Sequence, residues 1–395
     1  MPRPHGPTER PEVALLIESS RGYGRGLLRG IAKYLHDHRR WSIFYQERRR
    51  GDPPPDWLKD WHGDGVIARV EDLRLLRTIT KLGVPAVDVR GRFQLDMPLV
   101  ETDDQEVTRL AVEHLTSRGF RQFAFCGFPG ANYSNKRSRW FAELIRQAGF
   151  QVQTYVPPRR LCTAGSYGYE HIGSIYERDI ARWIEALPKP IGMMACNDVR
   201  GQQVLNACRS LGVPVPDDVA VIGVDNDQLV CDLAEPPLTS VIPNTERIGY
   251  TAAEVLERMM AGRPAPAETI YIPPLGVATR RSTDVLAIED RPIAAAVRYI
   301  REHACEGIKV TDLVRAVPMS RRLLERRFTS AVGRTPKAEI VRTQLQRAKD
   351  LLAATDFKLA VIAEKTGFKH TEHLCVVFKR EVGLTPGAYR RRTRR

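Results

Sequence analysis

Two groups of side chains in this 395-residue sequence have types and spacings suited to recognising other molecules. In the first, Arg321, Arg322, Glu325 and Arg326 fall outside an apolar helical stripe of Leu323, Leu324 and Phe328. Fifty residues on, Thr371, Glu372 and His373 stand in the same relation to Leu374, Val377 and Phe378, with Lys369 just ahead. A guanidinium can bond guanine O6 and N7 together, and a glutamate can accept from cytosine N4. Lys369, Lys379, Arg380 and the run Arg390-Arg391-Arg392 suit phosphates, which add affinity without choosing sequence. A single exposed arginine is ordinarily a solvated charge, so the weight rests on repetition.

That repetition is explicit. Phe328-x4-Gly333-x-Thr335-Pro336 recurs as Phe378-x4-Gly383-x-Thr385-Pro386. Each copy follows a short helix, a turn and a second helix. In the first, residues 311–317 lead, Pro318-Met319 turns, and Ser320 caps a helix to Phe328. In the second, residues 359–366 lead, Gly367-Phe368 turns, and a helix spans 370–380. This is helix-turn-helix spacing, whose second helix enters a major groove. Charge agrees: residues 285–395 hold 24 Lys+Arg and 12 Asp+Glu, nearly all of the chain's net +14. Such an excess in one domain marks a polyanionic partner, here double-stranded DNA.

The second group needs a different scaffold. Short apolar runs at 13–17, 41–45, 65–68, 86–89, 123–126, 191–195 and 219–224 alternate with helical patterns at 27–35, 106–118, 137–147, 180–186 and 200–211. Buried strands alternating with helices imply parallel, doubly wound α/β sheets, and some 260 residues of the pattern imply two lobes. Ligands of such sheets bind at the carboxyl ends of strands, where Asn197, Asp198 and Asp225 fall. A carboxylate can accept two hydroxyls of a sugar while Arg or Asn bonds a third. Structural roles compete: Asp198 as the cap of its helix, Asp225 as part of an Asp-Asn-Asp turn. Asp103 is read as a cap. The expected organisation is a disordered tail at 1–12, an effector domain at 13–276, a linker at 277–291 and a DNA-binding domain at 292–395.

Other chemistry finds little support. The seven cysteines are scattered, without CxxC or metal-type Cys/His spacing, and read as reduced thiols of a cytoplasmic protein. No signal peptide, membrane span, GxSxG elbow or cofactor motif is expected. Gly22-Tyr-Gly24-Arg-Gly26 after the first strand, with Glu47 after the second, imitates the fingerprint of an NAD-dependent oxidoreductase, although Leu27 stands at its third glycine position.

Residues 294–390 resemble the AraC-type DNA-binding domain, most specifically in GF-x9-F-KR-x2-G-x-TP-x2-YR from Gly367 to Arg390. The resemblance implies that Arg322, Glu325 and Arg326, then Thr371, Glu372 and His373, meet bases in successive major grooves. Val376 stands where many relatives carry Arg or another polar residue. Residues 13–281 resemble the effector domain of lactose-repressor-type regulators, which shares the periplasmic sugar-binding fold. The motifs are 100–127, Arg137-x3-Phe141-x2-Leu144, Ala195-Cys-Asn-Asp198, and 214–227. This resemblance puts Arg137 in the cleft, where a surface salt bridge is the competing role. It also puts Ser20 and Tyr23 of the first loop, and Glu47, on the opposite wall. The order, with DNA binding last, resembles xylose-operon-type regulators, in strings such as Gly63-Asp-Gly-Val-Ile-Ala68 and Arg281-Ser-Thr-Asp284. That implies a homodimer, xylose as effector and activation, with RNA polymerase as partner. A repressor, or a responder to a non-sugar ligand, is the alternative.

Overall fold

A computed structural model describes residues 10–38, 41–158, 173–284, 288 and 290–393. Cys162, residues 1–9 of the expected tail and residues 285–287 and 289 of the expected linker lie outside the described residues. The chain divides into two units, Met1–Val285 and Leu286–Arg395.

The first unit begins with β1 (Glu12–Leu16), α1 (Gly22–Asp37), β2 (Ser42–Tyr45), β3 (Gly65–Ala68), α2 (Leu73–Leu82), β4 (Ala86–Asp88) and β5 (Val100–Thr102). A parallel sheet in the order β2-β1-β3-β4 results. The second lobe follows with α3 (Asp104–Thr116), β6 (Phe123–Cys126), α4 (Asn132–Gln147), β7 (Val152–Thr154), α5 (Gly173–Ala186) and β8 (Ile191–Ala195). Next come α6 (Asp198–Leu211), β9 (Val219–Val224), α7 (Gln228–Leu233) and β10 (Thr239–Ile242). Strands β8 and β9 are buried along their whole length, which is why they read as unbroken apolar runs.

The chain then returns to the first lobe. Helix α8 (Thr245–Met260) lays Ile248, Ala252 and Leu256 into a core shared with Val13, Leu27 and Ile31. Strand β11 (Ile270–Ile272) pairs in parallel with β5, and β12 (Gly276–Ala278) goes back to pair antiparallel with β10. The larger sheet is therefore β12-β10-β9-β8-β6-β7. Among the described residues the chain crosses between lobes after Thr102, after Ile242 and after Ile272. Three adjacent crossings keep the strand ends of the two lobes facing.

Gly26 of the segment that imitates a dinucleotide fingerprint serves helix packing, together with Gly30 and Gly249. A Cβ on Gly26 would strike Thr245 Oγ1, one on Gly30 the Glu246 carbonyl, and one on Gly249 the Leu27 carbonyl. They let α1 and α8 approach backbone to backbone. At the start of α1, moreover, the Gly22 N–H donates to the Asp227 carboxylate (2.9 Å), where a dinucleotide would need to place its pyrophosphate.

Residues 277–283, read as linker from their charge, belong to the second lobe. Ser282 Oγ donates to the Val221 carbonyl (2.6 Å) and accepts from Thr239 N–H (2.8 Å). Thr283 Oγ1 lies 2.7 Å from His114 Nε2 and 2.8 Å from Thr239 Oγ1. Clustered charges suggested solvent exposure, but Ser282 and Thr283, between Arg281 and Asp284, are fully buried.

The second unit is helical: α9 (Arg291–His303), α10 (Val310–Ala316), α11 (Arg321–Val332), α12 (Pro336–Ala354), α13 (Leu359–Lys365), α14 (Thr371–Val382) and α15 (Pro386–Thr393). The repeated motif now has a mechanical meaning. Phe328 and Phe378 are each fully buried in their own half. Gly333 and Gly383 end α11 and α14 in the left-handed region, at φ 75° and 76°. Thr335 and Thr385 then accept from Ala338 and Ala388 N–H (3.3 Å each), and the prolines open the next helices. Ser320 does occupy the cap position of α11, without a side-chain bond to the helix. Helix α12 serves both halves, giving Ile340 to the first core and Leu345, Ala348 and Leu352 to the second.

Candidate ligand cavity and candidate nucleic-acid interface

The carboxyl ends of β1, β3, β4 and β5 meet those of β8 and β9 across one cavity of the first unit. The space between these strand ends, open mouth included, is about 750 Å³. Five of the expected residues line it together: Tyr23, Arg137, Asn197, Asp198 and Asp225. Ser20 and Glu47 do not. The loop after β1 turns Arg21, Gly22 and Tyr23 inward and leaves Ser20 exposed. Glu47 follows β2, the edge strand, whose end lies at the margin of the sheet, and it too is exposed.

Each polar wall is tightly held. Arg137, 3% exposed, donates through Nε to Asp104 (2.7 Å) and through Nη1 to the Cys196 carbonyl (2.6 Å). Its surface-salt-bridge role is thereby excluded. Burial works against its charge, yet Asp104 and then Asp225 raise its pKa. Asn197, rather than Asp198, caps α6, accepting from Arg200 N–H (3.0 Å), and its amide faces Tyr133 OH (3.3 Å). Asp198 sits one residue further in, accepting from Ser240 Oγ (2.6 Å) and Asp227 N–H (2.8 Å). Burial, with Asp225 beside it, pushes the Asp198 carboxyl well above the usual carboxylate range. Asp225 and Asn226 take φ of 111° and 47°, left-handed conformations that non-glycine residues adopt at a cost.

On the facing wall, buried Arg69 pairs with Glu18, and its guanidinium lies 4.9 Å from the Tyr23 ring centroid. Tyr23 OH shares a hydrogen with Thr102 Oγ1 (2.8 Å), and burial raises its pKa. Sequence reasoning missed Glu18, Arg69, Arg90, Thr102, Asp104 and Tyr133. The strand-end rule points to Glu18, Arg69 and Arg90 when applied to the first sheet as well as the second. Tyr133 precedes Arg137 by one helical turn, which places both on one face of α4. Asp104 adjoins the Asp103 cap, whose bond to Glu106 N–H (3.0 Å) is as expected.

Several bonds latch the lobes on either side of the cavity. Besides Gly22 to Asp227, the Asn132 amide donates to the Gly91 carbonyl, and Lys136 Nζ reaches Glu101 (2.6 Å). The arrangement is a closed clamp around a polar space lined with donors and acceptors in fixed positions.

In the second unit, Leu324 and Phe328 of α11 and Leu374, Val377 and Phe378 of α14 face the cores. Leu323 is only half-buried. Arg321, Arg322 and Arg326 are exposed, and Glu325 is half-buried with its carboxylate on Arg321 Nε (2.9 Å). Lys369, Glu372 and His373 are exposed, and Thr371 is half-buried. Arg321, Lys369, Thr371, Glu372 and His373 share one groove between the two helix-turn-helix units, together with Lys309 and Lys337. Arg322, Glu325 and Arg326 lie outside it. Gln344 of α12 fixes the spacing of the halves, donating to the Ala304 carbonyl (2.9 Å) and to the Gly367 carbonyl (3.4 Å). Gly367 packs so closely on Ala304 and Gly307 that a Cβ there has no room. Two matched helices are thus presented on a rigid frame, ringed by cations.

No described helix is long and apolar enough to cross a membrane, and no described cluster has the make-up of a metal site. Buried Cys126, Cys196, Cys208 and Cys231 have thiols pushed upward by burial, the first and third to about 12 and Cys196 to about 11.

Three family models match along the chain: the XylR N-terminal domain at residues 12–104, the periplasmic binding protein-like domain at 112–283 and a helix-turn-helix domain at 313–392. The xylose operon regulatory protein of Escherichia coli strain K12 is 33% identical, covering 97% of both chains. That of Haemophilus influenzae is 29% identical, covering 96% of this chain and 98% of its own. The solved structure of a xylose-binding transcription activator, xylR, superposes with a TM-score of 0.78 at 31% identity, covering 98% of this chain and 100% of that one.

Proposed function

Since the chain belongs to the family of xylose operon regulatory proteins, DNA-binding transcription regulators, we propose that it activates genes of pentose use when xylose closes the clamp of its first unit. The observation that carries this reading is one cavity built from the strand ends of both sheets, in a chain that also carries two matched helix-turn-helix units. The site residues divide by chemistry. Asp225, Asn197 and Arg137 hold hydroxyls from the second lobe, and Tyr23, Arg69 and Glu18 hold them from the first. Asp198, accepting from Ser240 Oγ and Asp227 N–H, steadies the loop that carries Asp225.

A ligand moves an equilibrium only by binding one state better than the other. A sugar touching both walls meets that condition, because its bonds to one wall are lost when the lobes part. Arg322, Glu325 and Arg326 then read one major groove and Thr371, Glu372 and His373 another, with Arg321 and Lys369 on the intervening backbone. The reading includes a homodimer on its operator and contact with RNA polymerase. The test uses full-length protein and a duplex selected by it from a random pool in the presence of D-xylose. D-xylose is expected to tighten binding or extend the footprint, with neutral non-pentose sugars inert. Identical affinity and footprint with and without D-xylose would overturn the reading.

A further inference from the structure

We propose that Val376 is a specificity-determining residue of the second recognition helix and reads the C5 methyl group of a thymine. The proposal rests on the reading above that the second unit binds duplex DNA. Its observation is an apolar side chain in a place that fold stability does not explain. Among the described residues of the second unit, the large apolar side chains that stand exposed are Phe357 and Val376. Phe357 has a cover, since the Lys365 ammonium lies 5.6 Å from its ring centroid. Val376 is 65% exposed.

Its position is not marginal. Leu374, Val377 and Phe378 point into the core, so the opposite meridian of α14 runs through Glu372, Val376 and Lys379, one turn apart. The 50-residue repeat makes Val376 the counterpart of Arg326, as buried Leu374 and Phe378 are counterparts of buried Leu324 and Phe328. The same spot on two matched helices thus carries a guanidinium in one and an isopropyl group in the other. A β-branched residue on the exposed face of a helix has poorer propensity than the Arg, Lys or Ala that could stand there. An apolar side chain can discriminate bases in one way, by contact with the thymine methyl group in the major groove. Lys369, Lys379 and Arg380 nearby are exposed and have the charge that suits phosphates. The two half-sites therefore differ in chemistry: guanine under Arg326, thymine under Val376.

The experiment replaces each thymine of the selected duplex, one at a time, by deoxyuridine, which removes only the methyl group. Full-length protein is expected to lose about three- to fivefold in affinity at one thymine of the half-site read by α14, the value of roughly one buried methyl group. In Val376→Ala that position is expected to become insensitive to the replacement, and Val376→Arg is expected to shift preference there from thymine to guanine. Circular dichroism checks that both variants keep the helical unit. If wild type binds the thymine duplex yet every deoxyuridine replacement is neutral, or if Val376→Ala keeps the sensitivity, the proposal fails while DNA binding stands. Absence of any preferred duplex would instead refute the reading beneath it.

Discussion

His114 offers a stability test with a sign fixed by geometry. It lies on α3, buried, with Nε2 2.7 Å from Thr283 Oγ1, and Arg118 in the turn after that helix donates to the Thr283 carbonyl (2.8 Å). Burial, reinforced by Arg118, lowers the His114 pKa from 6.5 to about 3. The folded ring is neutral where the unfolded ring is charged. Its contribution is therefore fully present above pH 6.5 and is lost as pH falls towards 3, because the unfolded chain then binds a proton that the folded chain refuses. The slope is about 1.4 kcal/mol per pH unit, so about 2 kcal/mol disappears between pH 6.5 and 5. Asp88 works in the opposite direction, since burial raises its carboxyl from 3.8 to about 6 and stability falls as pH rises across that interval. Wild type alone would conceal both. The informative quantity is wild type minus His114→Gln, a change that keeps a donor or acceptor for Thr283 but removes the titration. All five tryptophans precede residue 285, so their fluorescence during urea unfolding reports the first unit alone. The stability difference is expected to grow by roughly 2 kcal/mol from pH 5 to 6.5 and then to level off, about 3 °C in Tm for a unit of this size. Parallel curves for the two proteins would refute the reasoning.

Three further outcomes follow from packing and charge. Arg137→Gln leaves Asp104 buried without its cation and is expected to destabilise the first unit by about 3–5 kcal/mol, with Asp104→Asn in the same chain recovering part of it; urea titration measures both, and full additivity would count against the pair. Gly249→Ala drives a methyl group into the Leu27 carbonyl, so a loss of about 1–3 kcal/mol is expected where an alanine in mid-helix would ordinarily help. Arg326→Ala is expected to weaken the preferred duplex about 5- to 150-fold and relax one position, whereas Lys369→Ala should weaken all duplexes alike and reduce the salt slope by about 1; anisotropy titrations at several salt concentrations separate them.

The legibility of this chain varied by element for physical reasons. Strands β6, β8 and β9 were readable to the residue because they are buried on both faces, so every position had to be apolar. The start of α4 was not: Asn132 to Lys136 carry no apolar stripe, and the helix is held there by contacts to the other lobe such as Asn132 to Gly91. Ser20 and Glu47 were placed in the cavity from their loops, but loop direction and strand order decide which side chains turn inward. Residues 277–283 looked like a charged tether because their burial depends on elements far away in sequence, through Ser282 on Val221 and Thr283 on His114.

The sequence by itself determined whatever is local or periodic: alternating strands and helices, the paired helix-turn-helix units, the core Phe, cap Gly, cap Thr and leading Pro of each repeat, and the basic charge of the last 111 residues. Tertiary structure alone decided which distant groups meet. Glu18 with Arg69, Asp104 with Arg137, and Gly22 with Asp227 are separated by 51, 33 and 205 positions, and no spacing rule joins them. They come together because parallel sheets gather strand ends on one edge and three crossings turn two such edges face to face.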